Sequence, residues 1–191
     1  MATRNYRLGR RLSEVTQTRS RILAAARFLV SELGPESSLG KVAARAGVSR
    51  ITVYNQFGSK AGLLEALSAA AGPPPARVTP ERTDGDPADD LKLRIEQACA
   101  AWAADPRLHR QLGDRRIGER SDDDHALAES LAARDRLRPG CSLKEAEDVI
   151  GILTSFPVFD RLHKEGRRST SAVAEILLRM ASGTITTRSR V

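Results

Sequence analysis

Residues 38–60 read SLGKVAARAGVSRITVYNQFGSK, and this stretch decides the fold of the N-terminal part of the chain. Gly47 can adopt the positive φ that a sharp helix exit needs, so a helix should end there. Ser38 and Ser49 each precede a helical segment and can cap its free backbone N–H groups. The stretch therefore predicts two short helices joined by a tight turn, the first with small and apolar residues at helical spacing, namely Leu39, Val42, Ala43 and Ala46.

The second of these helices, from about Arg50 to Asn55, divides into an apolar and a polar face. Val53 and Phe57 are four residues apart, so both should point into the core. In the major groove arginine pairs with guanine, asparagine pairs with adenine, and an apolar or threonine methyl packs on the methyl of thymine. A helix-turn-helix that binds DNA is thus predicted, with bases or adjacent backbone contacted by Arg50, Ile51, Thr52 and Asn55 and phosphates held by Ser38, Ser49, Tyr54 and Lys60.

A two-helix corner that binds no DNA would share part of this pattern, but two further observations favour DNA binding. Tyr54, Phe57, Ser59 and Lys60 follow the turn at fixed offsets. The net charge of +7 is also uneven, since residues 1–60 hold 11 Lys/Arg and 3 Asp/Glu whereas residues 61–191 hold 20 and 21. A basic segment beside a neutral one is typical of phosphate binding.

These residues resemble the tetracycline-repressor (TetR) family of bacterial regulators, from Arg19 to about Leu67. The chain departs from the family pattern at Ile51, where a small residue is common, at Gln56, and at Gly40, which has no side chain to reach DNA. These departures leave the operator sequence open. The matching residues are Ile22, Ala25, Ala26, Leu29, Gly34, Val42, Ala43, Ala46, Gly47, Val48, Ser49, Thr52, Val53, Tyr54, Phe57, Ser59, Lys60 and Leu63.

The resemblance implies an all-α fold with a DNA-binding domain over residues 16–60 and an effector-binding and dimerisation domain over residues 61–191. It implies a ligand-responsive homodimeric repressor of a palindromic operator, paired through the last two helices. Apolar residues recur at helical spacing in both of those helices, and Pro157 should kink the first of them. The predicted dimer residues are Val149, Ile152, Leu153, Phe156, Val173, Ile176, Leu177 and Met180, and Thr184 continues the inner face of the last helix.

The effector site is only weakly indicated by the sequence. Aromatic content is 4%, so we expect a mostly aliphatic pocket and a hydrophobic effector, an expectation that rests largely on the resemblance. The three histidines are widely spaced and are expected at the surface, and residues 122–124 should form a solvated acidic helix start. The candidate effector contacts are Cys99, Trp102, Leu112, Phe156 and Phe159.

The flanking segments are interpreted from composition. Residues 1–15 contain four arginines and should form a basic arm before the first helix, which would start near Thr18. Residues 72–87 are rich in proline and glycine and predict a loop or linker. The two cysteines, far apart in a chain with no secretory segment, predict a reduced cytoplasm rather than a disulfide framework.

Other functions are weighed against the regulator. The chain lacks nucleotide-binding and nucleophile motifs, so we expect no catalytic residue, no cofactor and no metal site. The alternatives are an all-α enzyme or small-molecule carrier with a vestigial helix-turn-helix, and a DNA binder without an effector. The first requires a convergent polar site within residues 88–191, and the second predicts no enclosed cavity there.

Overall fold

The computed structural model describes residues 3–73, 85–113 and 122–186, with side chains from residue 14 onward. Within these ranges the regular secondary structure is helical, apart from one isolated antiparallel bridge between Leu137 and Thr186. The predicted all-α fold is confirmed. Of the helices in these ranges, none combines the length and the apolar character that a membrane span needs.

The helices form two compact units. The first unit comprises Met1–Ala71 and Arg107–Arg115, and the second comprises Gly72–Pro106 and Arg116–Val191. The predicted boundary at residue 60 differs from this division, because the fourth helix and a short helix near residue 110 both pack into the first unit. The helices of the first unit are α1 (Thr3–Leu33), α2 (Leu39–Ala46), α3 (Arg50–Phe57), α4 (Lys60–Ala71) and α6 (Pro106–Leu112).

Helix α1 begins at Thr3, so the prediction that residues 1–15 precede the first helix is wrong. Residues 3–17 contain no proline, and extending a helix that is already packed costs much less than nucleating a new one. The helix ends at Leu33, and Gly34 follows it with a φ of +82°. The side chains of residues 1–13 lie outside the described residues, so the DNA contacts of this basic segment stay a prediction.

The core of the first unit is built from the apolar stripes that the sequence indicates. Ile22 and Ala26 of α1 and Val53 of α3 are fully buried. Leu108 of α6 is equally buried in the same core, although it comes from a distant part of the chain. The other buried members are Ala25, Leu29, Val30, Val42, Ala43, Ala46, Leu63, Leu64, Leu67 and Leu112.

The second unit packs its helices around a separate apolar core. Asp86 caps its first helix by accepting from the N–H of Ala88 at 3.0 Å, and it also pairs with Arg136. Residues 74–84 of the predicted loop lie outside the described residues, whereas Pro87 already belongs to that first helix. The helices are α5 (Pro87–Ala104), α7 (Asp122–Ala133), α8 (Leu143–Leu153), α9 (Phe156–Asp160), which continues into a π-helical turn (Arg161–Glu165), and α10 (Thr170–Thr184).

Two serines cap helices near the C-terminus, and the predicted kink at Pro157 is corrected. Ser142 and Ser169 accept from backbone N–H groups three residues on, each at 3.2 Å. Helix α8 ends at Leu153, and a new helix starts at Phe156 with Pro157 in its first turn. Proline is tolerated there because the first N–H groups of a helix have no intrahelical partner. Thr184 is exposed rather than inward-facing.

Candidate nucleic-acid interface

The turn between α2 and α3 has the geometry that the sequence predicts. Ser38 Oγ accepts from the N–H of Lys41 at 3.3 Å and caps α2. Gly47 has a φ of +63° and terminates α2, and the N–H of Val48 donates to Ala43 O at 3.0 Å. Ser49 Oγ accepts from the N–H of Thr52 at 3.0 Å and starts α3. Both helices of the pair are therefore capped by residues within the 38–60 stretch.

Helix α3 extends to Phe57, two residues beyond its predicted end, and it exposes the residues predicted to read DNA. Val53 is completely buried, so it fixes which side of the helix faces the core. Arg50 and Asn55 are exposed, and Ile51 and Tyr54 retain 72% and 61% of their accessible surface. The outward side of α3 thus carries arginine, isoleucine, tyrosine and asparagine side chains.

The hydroxyl groups near the turn already have partners within the protein. Thr52 is half-buried, and its Oγ1 lies 2.8 Å from Ser49 Oγ. Ser38 and Ser49 use their oxygens as caps, and a hydroxyl that accepts in this way can still donate its proton. Ser49 and Thr52 are held at the turn, and Ser38 is held at the start of α2.

Lys60 lies in the first turn of α4, and its Nζ pairs with Glu36 Oε2 at 3.0 Å. The Glu36 side chain is 92% exposed, so the pair is weak and a phosphate can replace the carboxylate. Ser59 Oγ accepts from the N–H of Gly62 at 3.0 Å and caps the same helix. The start of α4 therefore offers a cation beside a helix N-terminus, a combination that suits a phosphate.

Gly58 and Gly62 are structural residues that the sequence analysis missed. Gly58 has a φ of +69°, and its N–H donates to Tyr54 O at 2.7 Å. A Cβ on Gly62 would lie 2.3 Å from Phe57 O, which is closer than any side chain can approach. The spacing G-S-K-A-G marks this close approach of α4 to the end of α3, and it could have been found from the two glycines.

Two arginines of α1 bind the ends of the helix pair, a role that the sequence analysis also missed. Arg19 Nη1 donates to Gln56 O at 3.0 Å, and its guanidinium lies 4.4 Å from the centroid of the Phe57 ring. Arg21 Nη2 donates to Ala46 O at 2.6 Å, at the C-terminus of α2. A cation at a helix C-terminus is favourable because the last carbonyl groups are unpaired there.

Some arginines of the first unit therefore contact carbonyl groups or aromatic rings of the protein itself. Arg45 adds a third example, since its guanidinium stacks 3.4 Å from the centroid of the Phe28 ring. The excess of basic residues over residues 1–60 does not translate directly into a number of phosphate contacts. Arg50 is exposed at the start of α3, and Lys60 is half-buried at the start of α4.

The predicted effector residues fall into two different cores. Leu112 packs in the core of the first unit, whereas the other four lie in the core of the second, and the effector assignment stays a prediction. Trp102 and Phe156 meet edge to face with ring centroids 5.7 Å apart, and Trp102 Nε1 donates to Thr154 O at 3.0 Å. Burial raises the pKa of the Cys99 thiol to about 11, with the nearby Glu96 carboxylate as a smaller cause.

The predicted dimer residues divide by exposure. Leu153, Phe156, Val173 and Leu177 are buried within their own unit, which argues against a place on the dimer surface, and the dimer assignment stays a prediction. The periodicity marks an apolar stripe, but it does not say which part of the stripe the protein's own core covers. The remaining members of α8 and α10 are exposed or half-buried, namely Val149, Ile152 (56%), Ile176 and Met180 (46%).

A buried polar cluster between α5, α7 and α8 was not anticipated. Arg94 Nη2 lies 3.4 Å from Asp124 Oδ1, with both side chains almost completely buried. His125 is exposed, and its Nδ1 lies 3.2 Å from Oε2 of the buried Glu147. Asp124 therefore does not belong to a solvated helix start, and His109, buried in the first unit, is not a surface histidine. Among the described residues no group of His, Cys, Asp and Glu is arranged to hold a metal ion.

Comparison with known proteins agrees with this geometry. Residues 22–67 match a family described as "Bacterial regulatory proteins, tetR family". Two crystal structures of NalD, the secondary repressor of the MexAB-OprM multidrug efflux pump in Pseudomonas aeruginosa, are 24% and 25% identical to the chain. They have TM-scores of 0.66 and 0.61, and the alignments cover 91% and 92% of this chain and 98% of each NalD chain.

SmeT, the repressor of the Stenotrophomonas maltophilia multidrug efflux pump SmeDEF, has a TM-score of 0.64 at 21% identity. That alignment covers 91% of this chain and 94% of SmeT. No curated protein matches the chain. The matched segment spans the helix-turn-helix and α4, and the structural likeness extends over the second unit as well.

Proposed function

We infer from the match over residues 22–67 that the chain belongs to the tetR family of bacterial regulatory proteins, a family of DNA-binding regulators. We propose that it is a ligand-responsive homodimeric repressor of a palindromic operator. One observation carries the proposal: α3 is capped at both ends and presents exposed arginine and asparagine side chains on the basic unit. These are the side chains that hydrogen-bond base edges in the major groove.

The roles of the α3 residues follow from their positions on the helix. Arg50 and Tyr54 are four residues apart, so they share one flank of α3, and Ile51 and Asn55 share another. We assign base or adjacent-backbone contacts to Arg50, Ile51, Thr52 and Asn55. We assign phosphate contacts to Tyr54, Ser38, Ser49 and Lys60.

Dimerisation through α8 and α10 supplies the second half of the operator contact. One helix-turn-helix reads one half-site, and a twofold axis can place two copies about 34 Å apart, one turn of the DNA helix. The exposed apolar side chains of Ile152 and Met180, with half-buried Val149 and Ile176 beside them, support this surface. The buried residues of the original prediction support the fold of each subunit instead.

A hydrophobic effector in the second unit would control the distance between the two recognition helices. The support is the aliphatic and aromatic core around Cys99, Trp102, Phe156 and Phe159. NalD and SmeT are named as repressors, which supports repression as the sign of regulation. The effector must bind the conformation that releases DNA more tightly than the one that holds it, because equal affinity would shift nothing.

The test is a selection of operators from random duplexes, followed by measurement of binding stoichiometry. We expect an enriched palindrome bound by two subunits, with half-sites about one helical turn apart. The variant Arg50→Ala should relax base preference at one position of each half-site, whereas Lys144→Ala, an exposed change in the second unit, should leave the preference unchanged. No retention of any duplex at low salt would contradict the proposal.

A further inference from the structure

The outermost face of α3 is formed by Ile51 and Asn55. Each lies two residues from Val53, which is fully buried, and two residues correspond to about 200° around a helix. Ile51 and Asn55 are four residues apart and are therefore neighbours on the side opposite the core. Ile51 is 72% exposed, the largest exposed fraction among the large apolar side chains that the structure describes.

This exposure is unusual because the rest of the outward surface is polar. Arg50 precedes the isoleucine in sequence, Asn55 lies next to it on the helix surface, and no described neighbour covers it. The side chain contributes nothing to the core of the first unit, so packing does not account for it. An apolar group at the centre of a DNA-contacting face has one partner in the major groove, the 5-methyl group of thymine.

We infer that Ile51 and Asn55 form a single reading element for A·T base pairs, in which Ile51 packs on a thymine methyl and Asn55 hydrogen-bonds an adenine. The inference rests on the proposed function and deepens it by naming the bases that the face selects. Asparagine hydrogen-bonds the N6 and N7 atoms of adenine, and every A·T base pair presents these atoms and the thymine methyl in the major groove.

The spacing of the two side chains fits this arrangement. Residues four apart on a helix have Cβ atoms about 5–6 Å apart. Successive base pairs rise by about 3.4 Å. Ile51 and Asn55 therefore address base pairs one or two steps apart, and each half-site should contain A·T pairs at both positions. Arg50, on the neighbouring flank of α3, remains available for a guanine or a phosphate beside them.

The experiment removes one methyl group from the DNA at a time. After the operator has been selected with the full-length protein, each thymine is replaced singly by deoxyuridine, which lacks only the 5-methyl group. Affinities are measured for the unaltered protein, for Ile51→Ala and for Ile51→Val. The substitutions change an exposed side chain, and thermal unfolding of each variant checks that the fold is retained.

We expect one thymine per half-site at which deoxyuridine weakens binding of the unaltered protein about fourfold, equivalent to about 0.8 kcal/mol per methyl group. Ile51→Ala should bind thymine and deoxyuridine equally at that position. Ile51→Val keeps a branched side chain and should retain most of the discrimination. Asn55→Ala should relax the preference for adenine one or two base pairs away.

Two outcomes would overturn the inference while leaving the proposed function intact. One is an operator whose half-sites lack paired A·T positions one or two steps apart. The other is deoxyuridine weakening the unaltered protein and Ile51→Ala to the same extent at every thymine. Failure to bind any duplex would overturn the proposed function, and this inference with it.

Discussion

The two units of the molecule place their polar side chains differently. In the first unit, Arg19 and Arg21 bind carbonyl groups at helix ends, where part of each guanidinium stays near water. In the second unit, Arg94 and Asp124 are inserted between helices and are almost completely buried. The difference shows that the first unit uses charge to hold helix ends, whereas the stability of the second depends on charges that must stay matched.

The largest expected effect comes from removing one member of the buried cluster. Asp124→Ala takes from Arg94 a carboxylate at 3.4 Å, in a place where water cannot replace it. We expect the free energy of unfolding to fall by about 3 kcal/mol. Chemical denaturation measures this, with Asp122→Ala, an exposed change in the same helical turn, as the matched control. Equal effects of the two substitutions would show that the cluster contributes no special stability.

A smaller effect is expected where α4 meets the end of α3. Gly62→Ala places a Cβ 2.3 Å from Phe57 O, so α4 must shift, at a cost of about 2 kcal/mol. Gly40→Ala is the matched control, since its nearest neighbour would be Ser38 Oγ at 3.8 Å and alanine favours a helix. Thermal unfolding should move in opposite directions for the two variants. A stabilising Gly62→Ala would contradict the close approach.

A substitution at Arg19 tests whether this arginine stabilises the protein or contacts DNA. Arg19→Met removes the bond to Gln56 O and the stacking on Phe57, at a cost of about 1–2 kcal/mol. Operator affinity should fall while the dependence of affinity on salt stays the same, because no phosphate contact is lost. A flatter salt dependence would show that Arg19 binds phosphate directly.

The smallest effect on stability is expected at Lys60. Its pair with Glu36 is exposed, so Lys60→Ala should leave the unfolding transition nearly unchanged. Binding should weaken for operator and random DNA alike, and the salt slope should flatten by about one unit. Glu36→Gln is the control, because it frees Lys60 and should strengthen binding. A change in base preference alone would contradict the phosphate role.

The helix-turn-helix could be predicted from the sequence because its geometry depends on local residues. Ser38 and Ser49 accept hydrogen bonds from backbone N–H groups three residues further along the chain, and Gly47 ends α2 through its own positive φ. The contacts of Arg19 join residues 37 positions apart, and no local pattern distinguishes an arginine that caps a helix from one that meets a phosphate.

The second unit could be predicted only in outline. The apolar spacing in α8 and α10 is correct, yet it did not separate Leu153 and Leu177, which are buried, from Ile152 and Met180, which are exposed. The wide apolar stripe of such a helix can face its own core, a partner or both. Burial of Asp124 was also missed, because an acidic residue at a helix start is normally solvated.

Helix α6 has a practical consequence for building chimeric sensors. Leu108 and Leu112 come from the middle of the chain but complete the core of the first unit. A graft that joins residues 1–71 to a foreign sensor would therefore leave an apolar hole where α6 belongs. A working graft should therefore carry α6 together with residues 1–71.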